Sequence, residues 1–307
     1  MLEQNADLTN NQVNQFIIAN VDPVLPYGSH DIGPGGKGGR VNVYKALQVA
    51  SPGTALGIGK FGSQTSIVFQ NLTSNSAAGN VAFWSVGGTD GITTTGGVLA
   101  SGAGPTPLAG YDIVATGDFN GDGNADLVFQ DTVTNTIAMW FTDPLNPFSV
   151  SSGAFISPVP AAGYHVVGTG DFNGDGYTDI VLQNQTTGQV AIWYMHGSTY
   201  VTGAFVPTIP GAGYNVVGVG DFNADGRPDL VFQNQNTGQI VVWYMNNTTY
   251  LGGGAVSVVP GANYRVAGVG DFIGDHQPDL VFQNTVTHRM IIWLMNGLNY
   301  GGGGIIH

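Results

Sequence analysis

The chain has no cysteine, which excludes disulfides and thiolate metal sites. The compartment stays open, because exported bacterial proteins often lack cysteine too. Cations are nearly as scarce: Lys and Arg total 7 against 20 Asp and Glu, for a formal net charge of −13. A nucleic-acid partner needs a basic patch to neutralise phosphates. The few cations here are scattered, with Lys37, Arg40, Lys45 and Lys60 all before residue 61, so no nucleic-acid partner is expected. No apolar run approaches the length of a membrane-spanning helix. The opening residues, MLEQNADLTNNQ, have neither a basic start nor an apolar stretch, so no signal peptide is visible in this chain.

Charge of either sign is thin, at 9% of residues, while Gly reaches 49 and hydrophobic residues 42%. That much apolar content argues against disorder. Abundant Gly with few helix formers points to an all-β chain with many turns.

One unit is written repeatedly. GDFNGDGNADLVFQ begins at Gly117, GDFNGDGYTDIVLQN at Gly170, GDFNADGRPDLVFQN at Gly220 and GDFIGDHQPDLVFQN at Gly270. The lead aspartates, Asp118, Asp171, Asp221 and Asp271, are spaced by 53, 50 and 50 residues. A degenerate copy, GKFGSQTSIVFQN, begins at Gly59 with a shorter loop and Lys60 in place of the aspartate. Trp84, Trp140, Trp193, Trp243 and Trp293 fall one per unit, as do Gln70, Gln130, Gln183, Gln233 and Gln283. Such a period defines a repeat architecture before any single motif is read.

Each unit divides into four short strand candidates, illustrated by YNVVGVGDF, DLVFQN, QIVVWYMN and YLGGGAVSVV from Tyr214 onward. Turn-rich joints such as QNTG and NNTT separate them. Four strands per unit of about 50 residues is the signature of a β-propeller blade. In QIVVWYMN, Ile240, Val242 and Tyr244 alternate with Val241, Trp243 and Met245, so both faces are apolar. A blade sandwiched between two neighbours requires that. The expected fold is therefore all-β: a β-propeller of four-stranded blades, five repeats visible, after a short α-helical N-terminal segment. The expected boundaries are 1–50 for that segment and 51–307 for the propeller, with units at about 51–109, 110–162, 163–212, 213–262 and 263–307.

The aspartates are not spread for solvation, since 12 of the 20 acidic residues fall in four loops. They hold positions one, five and nine: Asp118, Asp122 and Asp126; Asp171, Asp175 and Asp179; Asp221, Asp225 and Asp229; Asp271, Asp275 and Asp279. Asn120, Asn173 and Asn223 add a neutral oxygen at position three. Position seven, held by Asn124, Tyr177 and Arg227, would offer its backbone carbonyl, so its side chain is free to vary. Several oxygens in a short irregular loop suit Ca²⁺, and Gly at position six permits a positive φ. The pattern resembles the first half of an EF-hand loop, but no glutamate stands at position twelve and a strand candidate follows. In the last copy Ile273 replaces the asparagine and His276 the glycine, so weaker metal binding is expected there. His276 itself is a poor ligand for a hard cation.

The loops and the DLVFQN that follows resemble FG-GAP or VCBS-type repeats of integrin-α-like β-propellers, over about residues 51–307. That resemblance implies structural Ca²⁺ in the loops and a role in adhesion, ligand binding or attachment to an enzyme. Some lectins use the same scaffold. The unit at Gly59 departs most, which puts calcium there in doubt.

The first fifty residues differ. TNNQVNQFIIANV carries a helical stripe of Val13, Phe16, Ile17 and Val21, and GGRVNVYKALQVA from Gly38 reads as a second helix. QVNQFIIANVDP followed by GGKGGRVNVYKAL resembles the C-terminal end of a subtilisin-like serine protease domain. That family's catalytic motifs, D-[ST]-G, H-G-T-H and G-T-S-M-A, do not occur in this sequence. Ser29, His30 and Asp31 are chain neighbours, and adjacent residues cannot form the spatial relay. His196-Gly197-Ser198 reads as a turn. An upstream protease domain is a possible partner; no catalysis is expected in this chain.

The mid-strand tryptophans read as packing between blades. The repeated glutamines read as satisfying backbone groups there. The joints HGSTY, NNTTY and NGLNY are candidates for weak sugar or peptide contacts. The function expected is a non-catalytic, calcium-stabilised binding or adhesion module outside the cell or on its surface, with a protein or glycan ligand. The alternatives are an accessory region of a subtilisin-like protease and a carbohydrate-binding lectin.

Overall fold

A computed structural model describes residues 56–61, 64–70, 81–87, 93–98, 110–131, 133–208, 210–261, 263–287 and 289–306. Both expected N-terminal helices lie outside the described residues. Twenty strands form five four-stranded sheets, each an antiparallel meander in chain order. The first contains β1 (Leu56–Phe61), β2 (Gln64–Gln70), β3 (Val81–Gly87) and β4 (Thr93–Val98). The second contains β5 (Tyr111–Gly117), β6 (Asp126–Asp131), β7 (Ile137–Asp143) and β8 (Asn146–Phe155). The third contains β9 (Tyr164–Gly170), β10 (Asp179–Asn184), β11 (Val190–His196) and β12 (Thr199–Phe205). The fourth contains β13 (Tyr214–Gly220), β14 (Asp229–Asn234), β15 (Ile240–Asn246) and β16 (Thr249–Ala255). The fifth contains β17 (Tyr264–Gly270), β18 (Asp279–Asn284), β19 (Met290–Asn296) and β20 (Asn299–Ile306). This is the all-β propeller of four-stranded blades that the repeat predicts.

The apolar alternation explains how blades stack. In β10, Ile180 and Leu182 join a cluster with Val128 and Met139 of the second sheet, while Val181 faces Val216 and Leu230 of the fourth. Each buried cluster draws on two consecutive sheets, so the hydrophobic core is a series of layers between blades. Trp140 and Trp293 are buried in these layers, and Trp193 and Trp243 pack partly buried against them. Trp193, Trp243 and Trp293 each meet a tyrosine of the fourth strand, with ring centroids 4.9, 4.9 and 5.1 Å apart.

Innermost strands approach so closely that side chains do not fit. A Cβ on Gly168 would lie 2.6 Å from Val219 Cγ2, and one on Gly117 would lie 2.7 Å from Thr178 Cγ2. Thr178 Oγ1 donates to the Asp118 carbonyl at 2.6 Å, joining the third blade to the second. Thr65, one position before the buried Ser66, donates in the same way to the Asp271 carbonyl at 2.8 Å. The first and fifth blades are therefore joined as internal neighbours are, and the ring closes with five.

The repeated glutamines fasten one blade to the next. Gln183 is fully buried; its Oε1 accepts from Val216 N at 2.9 Å and its Nε2 donates to the Tyr214 carbonyl at 3.3 Å. Gln130 does the same with Val166 N and the Tyr164 carbonyl. Gln233 repeats it with Val266 N and the Tyr264 carbonyl. Each amide thus acts as a short stretch of strand against the neighbour's first strand.

Replacing Gln183 by Leu keeps the volume and strands those backbone groups. Each buried unpaired group costs about 1–3 kcal/mol, so urea unfolding of Gln183→Leu should show a loss of about 2 kcal/mol or more. A loss below about 0.5 kcal/mol, the range of ordinary surface changes, would remove the glutamine from this role.

Candidate functional site

The acidic loops join the first and second strands of blades two to five, placing four copies of one structure on one face of the ring. Two residues per loop turn back with positive φ. In the second blade these are Gly121 at 75° and Gly123 at 88°. In the fourth blade Ala224 takes 58°, and in the fifth His276 takes 64° where the others have glycine. Such a conformation costs a non-glycine residue energy, so the last loop keeps its shape against its own sequence.

The lead aspartate gathers main-chain amides. Asp118 Oδ1 accepts from Gly121 N at 2.8 Å and Asp122 N at 3.2 Å, and its Oδ2 accepts from Gly123 N at 2.8 Å. Asp171 repeats all three contacts. Asp271 does so too, with His276 N supplying the last. At position three, Asn120 Oδ1 accepts from Asp122 N at 3.0 Å while its Nδ2 donates to Asp122 Oδ2 at 2.9 Å. At position five, Asp122 Oδ1 accepts from Asn124 N at 2.8 Å. Asn173 and Asp175, and Asn223 and Asp225, are arranged alike. Asp275 keeps only its bond from Gln277 N, because Ile273 offers no amide side chain.

Position nine is different. Asp126, Asp179, Asp229 and Asp279 are each 0% exposed. Asp179 Oδ2 accepts from Phe172 N at 2.9 Å, tying the loop's start, and its Oδ1 accepts from Met195 N at 3.0 Å, tying the third strand. Asp126, Asp229 and Asp279 make the equivalent pairs. Burial raises these carboxyls, to about 7 for Asp126 and about 6 for Asp179 and Asp229, with Asp279 moved in the same direction. The two amide bonds oppose this shift, and the charges at positions one and five add to it.

These donor groups are all oxygen, the chemistry of a hard cation. A carboxylate has about four lone-pair sites, and the two amide bonds at position nine leave some unfilled. Among the described residues, however, no three acidic or histidine side chains converge into a ready ligand set. The carboxylates face the loop's own amides instead.

Position seven departs from blade to blade. Asn124 is buried. Tyr177 packs on His196, ring centroids 4.0 Å apart, and Gln277 Oε1 accepts from Gly297 N at 3.3 Å. Arg227 is exposed and has no side-chain hydrogen bond among the described residues. It lines a cavity of about 590 Å³ between the third and fourth blades, together with Asp171, Asn173, Asp221, Asn246 and Asn247. Asn247 belongs to the NNTTY joint, so one of the three candidate joints meets the acidic loops in a concave site. Its Oδ1 pairs with the Tyr194 hydroxyl of the third blade. Nothing in the sequence alone brings Arg227, Asn247 and the Asp171 loop together; the signal that was available is the single basic residue at position seven.

A family profile for the FG-GAP-like repeat matches residues 171–232 and 221–282. Residues 171–282 thus match FG-GAP-like repeats, within a chain folded as a β-propeller. No curated protein matches it. Among solved structures, an exo-β-1,3-galactanase from Phanerochaete chrysosporium, determined with galactose, is similar at 12% identity and a TM-score of 0.54. The match covers 82% of this chain and 62% of that one. The Photorhabdus luminescens Tc holotoxin pore matches at 17% identity and a TM-score of 0.44, over 83% of this chain and 12% of that chain. At these identities the likeness is one of fold. Among the described residues no helix is long and apolar enough to cross a membrane.

The buried aspartates set a pH dependence. Their folded values lie above the ordinary 3.8, so their contribution to stability is full below that value and is lost as pH rises through 6 to 7. With divalent ions chelated, the thermal midpoint should fall between roughly pH 5 and pH 8, with a shallower slope in Asp126→Asn. A flat profile, or an identical slope in the variant, would show that burial does not govern these carboxyls.

Proposed function

We propose that this chain is a non-catalytic, calcium-stabilised β-propeller that works as a binding or adhesion module outside the cell or on its surface. The observation that carries the reading is the recurrence of one all-oxygen loop on one face. In three copies (Asp118–Asp126, Asp171–Asp179 and Asp221–Asp229), carboxylates at positions one and five stand beside a buried carboxylate at position nine. Three negative charges held this close favour a cation by mutual repulsion. Ca²⁺ tolerates the irregular ligand geometry such a loop would give. Aspartates one, five and nine, the asparagine at position three and the carbonyl at position seven would hold it. Bound there, the ion would supply no chemistry beyond charge neutralisation and bracing of the loop.

The FG-GAP-like match over residues 171–282 supports the binding-module class. The loop of the fifth blade, with Ile273 and His276, would bind more weakly. The resemblance of residues 1–50 to the end of a subtilisin-like domain supports a second reading, in which the propeller is the accessory region of such a protease. That reading concerns where the module is attached, so the two are compatible.

Calcium added to chelated protein at neutral pH should raise the thermal midpoint by several degrees, since ligand bound only by the folded state stabilises it. Asp175→Ala, at an exposed position, should reduce that rise by about a third if the three complete loops bind independently. No response to calcium in the parent protein would end the metal part of the proposal. A full response in Asp175→Ala would move the ion elsewhere.

A further inference from the structure

The junction of the third and fourth blades has an unusual residue at position seven. In the third and fifth blades the side chain at position seven is anchored on its own blade's second hairpin, through Tyr177 on His196 and Gln277 on Gly297. In the fourth blade Asn247 of that hairpin is engaged by Tyr194 of the blade before. Arg227 is left exposed at the cavity.

Nor do the nearby carboxylates claim it. Both oxygens of Asp171 accept from their own loop, at Gly174 N, Asp175 N and Gly176 N. Asp221 accepts from Asp225 N and Gly226 N. A guanidinium, always charged and presenting a planar fork of donors, therefore stands at a concave, polar site in a chain with only 7 basic residues.

We propose that this cavity binds a sugar carrying a carboxylate, a uronic acid within an oligosaccharide. Arg227 would take the carboxylate through two parallel hydrogen bonds, the arrangement its geometry favours. Asn246 offers a donor and an acceptor to adjacent hydroxyls, and Asn247, its Oδ1 held by Tyr194, offers its Nδ2 as a donor. The volume of about 590 Å³ lies in the range of small-ligand sites. A peptide would need an apolar anchor pocket, and the lining is dominated by Asp, Asn, Gly and Arg. The proposal deepens the binding-module reading by naming a ligand class, and rests on it.

The test is calorimetric titration of the full chain, with calcium present, against oligosaccharides ending in glucuronate or galacturonate and against their neutral glucose- and galactose-ended counterparts. Matched sulfated sugars and a short acidic peptide complete the set. The uronates should bind at least ten-fold more tightly than the neutral sugars. Arg227→Gln should abolish that preference with an unchanged thermal midpoint, and Arg289→Gln, an exposed control in another loop, should leave it intact. No uronate binding, or equal binding by Arg227→Gln, overturns the proposal. Tighter binding of the sulfated sugar or the peptide also overturns it. The calcium response is read separately from the thermal midpoint, so failure here does not mimic failure of the metal reading.

Discussion

Among the described residues no strand ladder joins one sheet of this ring to the next; every ladder bond runs within a blade. The toroid depends on what replaces the ladder, and in the second, third and fourth blades the buried glutamine of the second strand is the main substitute. A primary amide carries both a donor and an acceptor, so it can pair a backbone N–H and a carbonyl of the neighbouring first strand at once. Burial makes this matter, because groups cut off from water are costly to leave unpaired. An apolar side chain at Gln130, Gln183 or Gln233 could fill the layer, but it could not satisfy Val166, Val216 or Val266. The hydrophobic layers supply cohesion between blades, and the amides fix how the blades are aligned.

The buried aspartate does for the loop what the glutamine does for the ring. One oxygen holds the amide at the loop's second residue and the other holds an amide of the third strand. The loop is thus fastened to two parts of its own blade. Its eighth residue then leans on the blade before, as Pro228 does against Gly170 and Thr178 does against Gly117. A surface loop of nine residues would ordinarily be mobile; here its second and ninth residues are buried. A ring of such loops is a stiff platform, which suits recognition more than gating.

Much of this was legible in the sequence because repetition turns weak signals into strong ones. A single GDFNGDG is a turn; several at a period near 50 residues define blades. The alternation in QIVVWYMN foretold two buried faces, and the glutamine's role followed from its place after an apolar run. Other features could not be read. The bulges between Val216 and Gly218, and between Tyr244 and Met245, leave no mark in composition. The burial of Asp229 was hidden because its loop partners look solvated, and by spacing alone all three aspartates are equivalent ligands. The part played by position eight was missed because Ala125, Thr178, Pro228 and Pro278 share no chemistry. What they share is a place opposite a glycine of the preceding blade's first strand.

That contrast separates scaffold from function. Where the four complete units agree at positions one and nine, and at the glutamine of the second, third and fourth blades, the structure shows backbone groups being satisfied. Where they disagree, the side chain is not needed to hold the loop's backbone. Position seven is the clearest case: its amide is held by the aspartate at position five in the second, third, fourth and fifth blades alike, so the backbone is constant while the side chain changes from Asn124 to Tyr177, Arg227 and Gln277. A propeller built from near-identical blades would present the same chemistry between every pair. Divergence at this one position gives each junction its own chemistry, and in the fourth blade it leaves an arginine exposed at the cavity shared with the third.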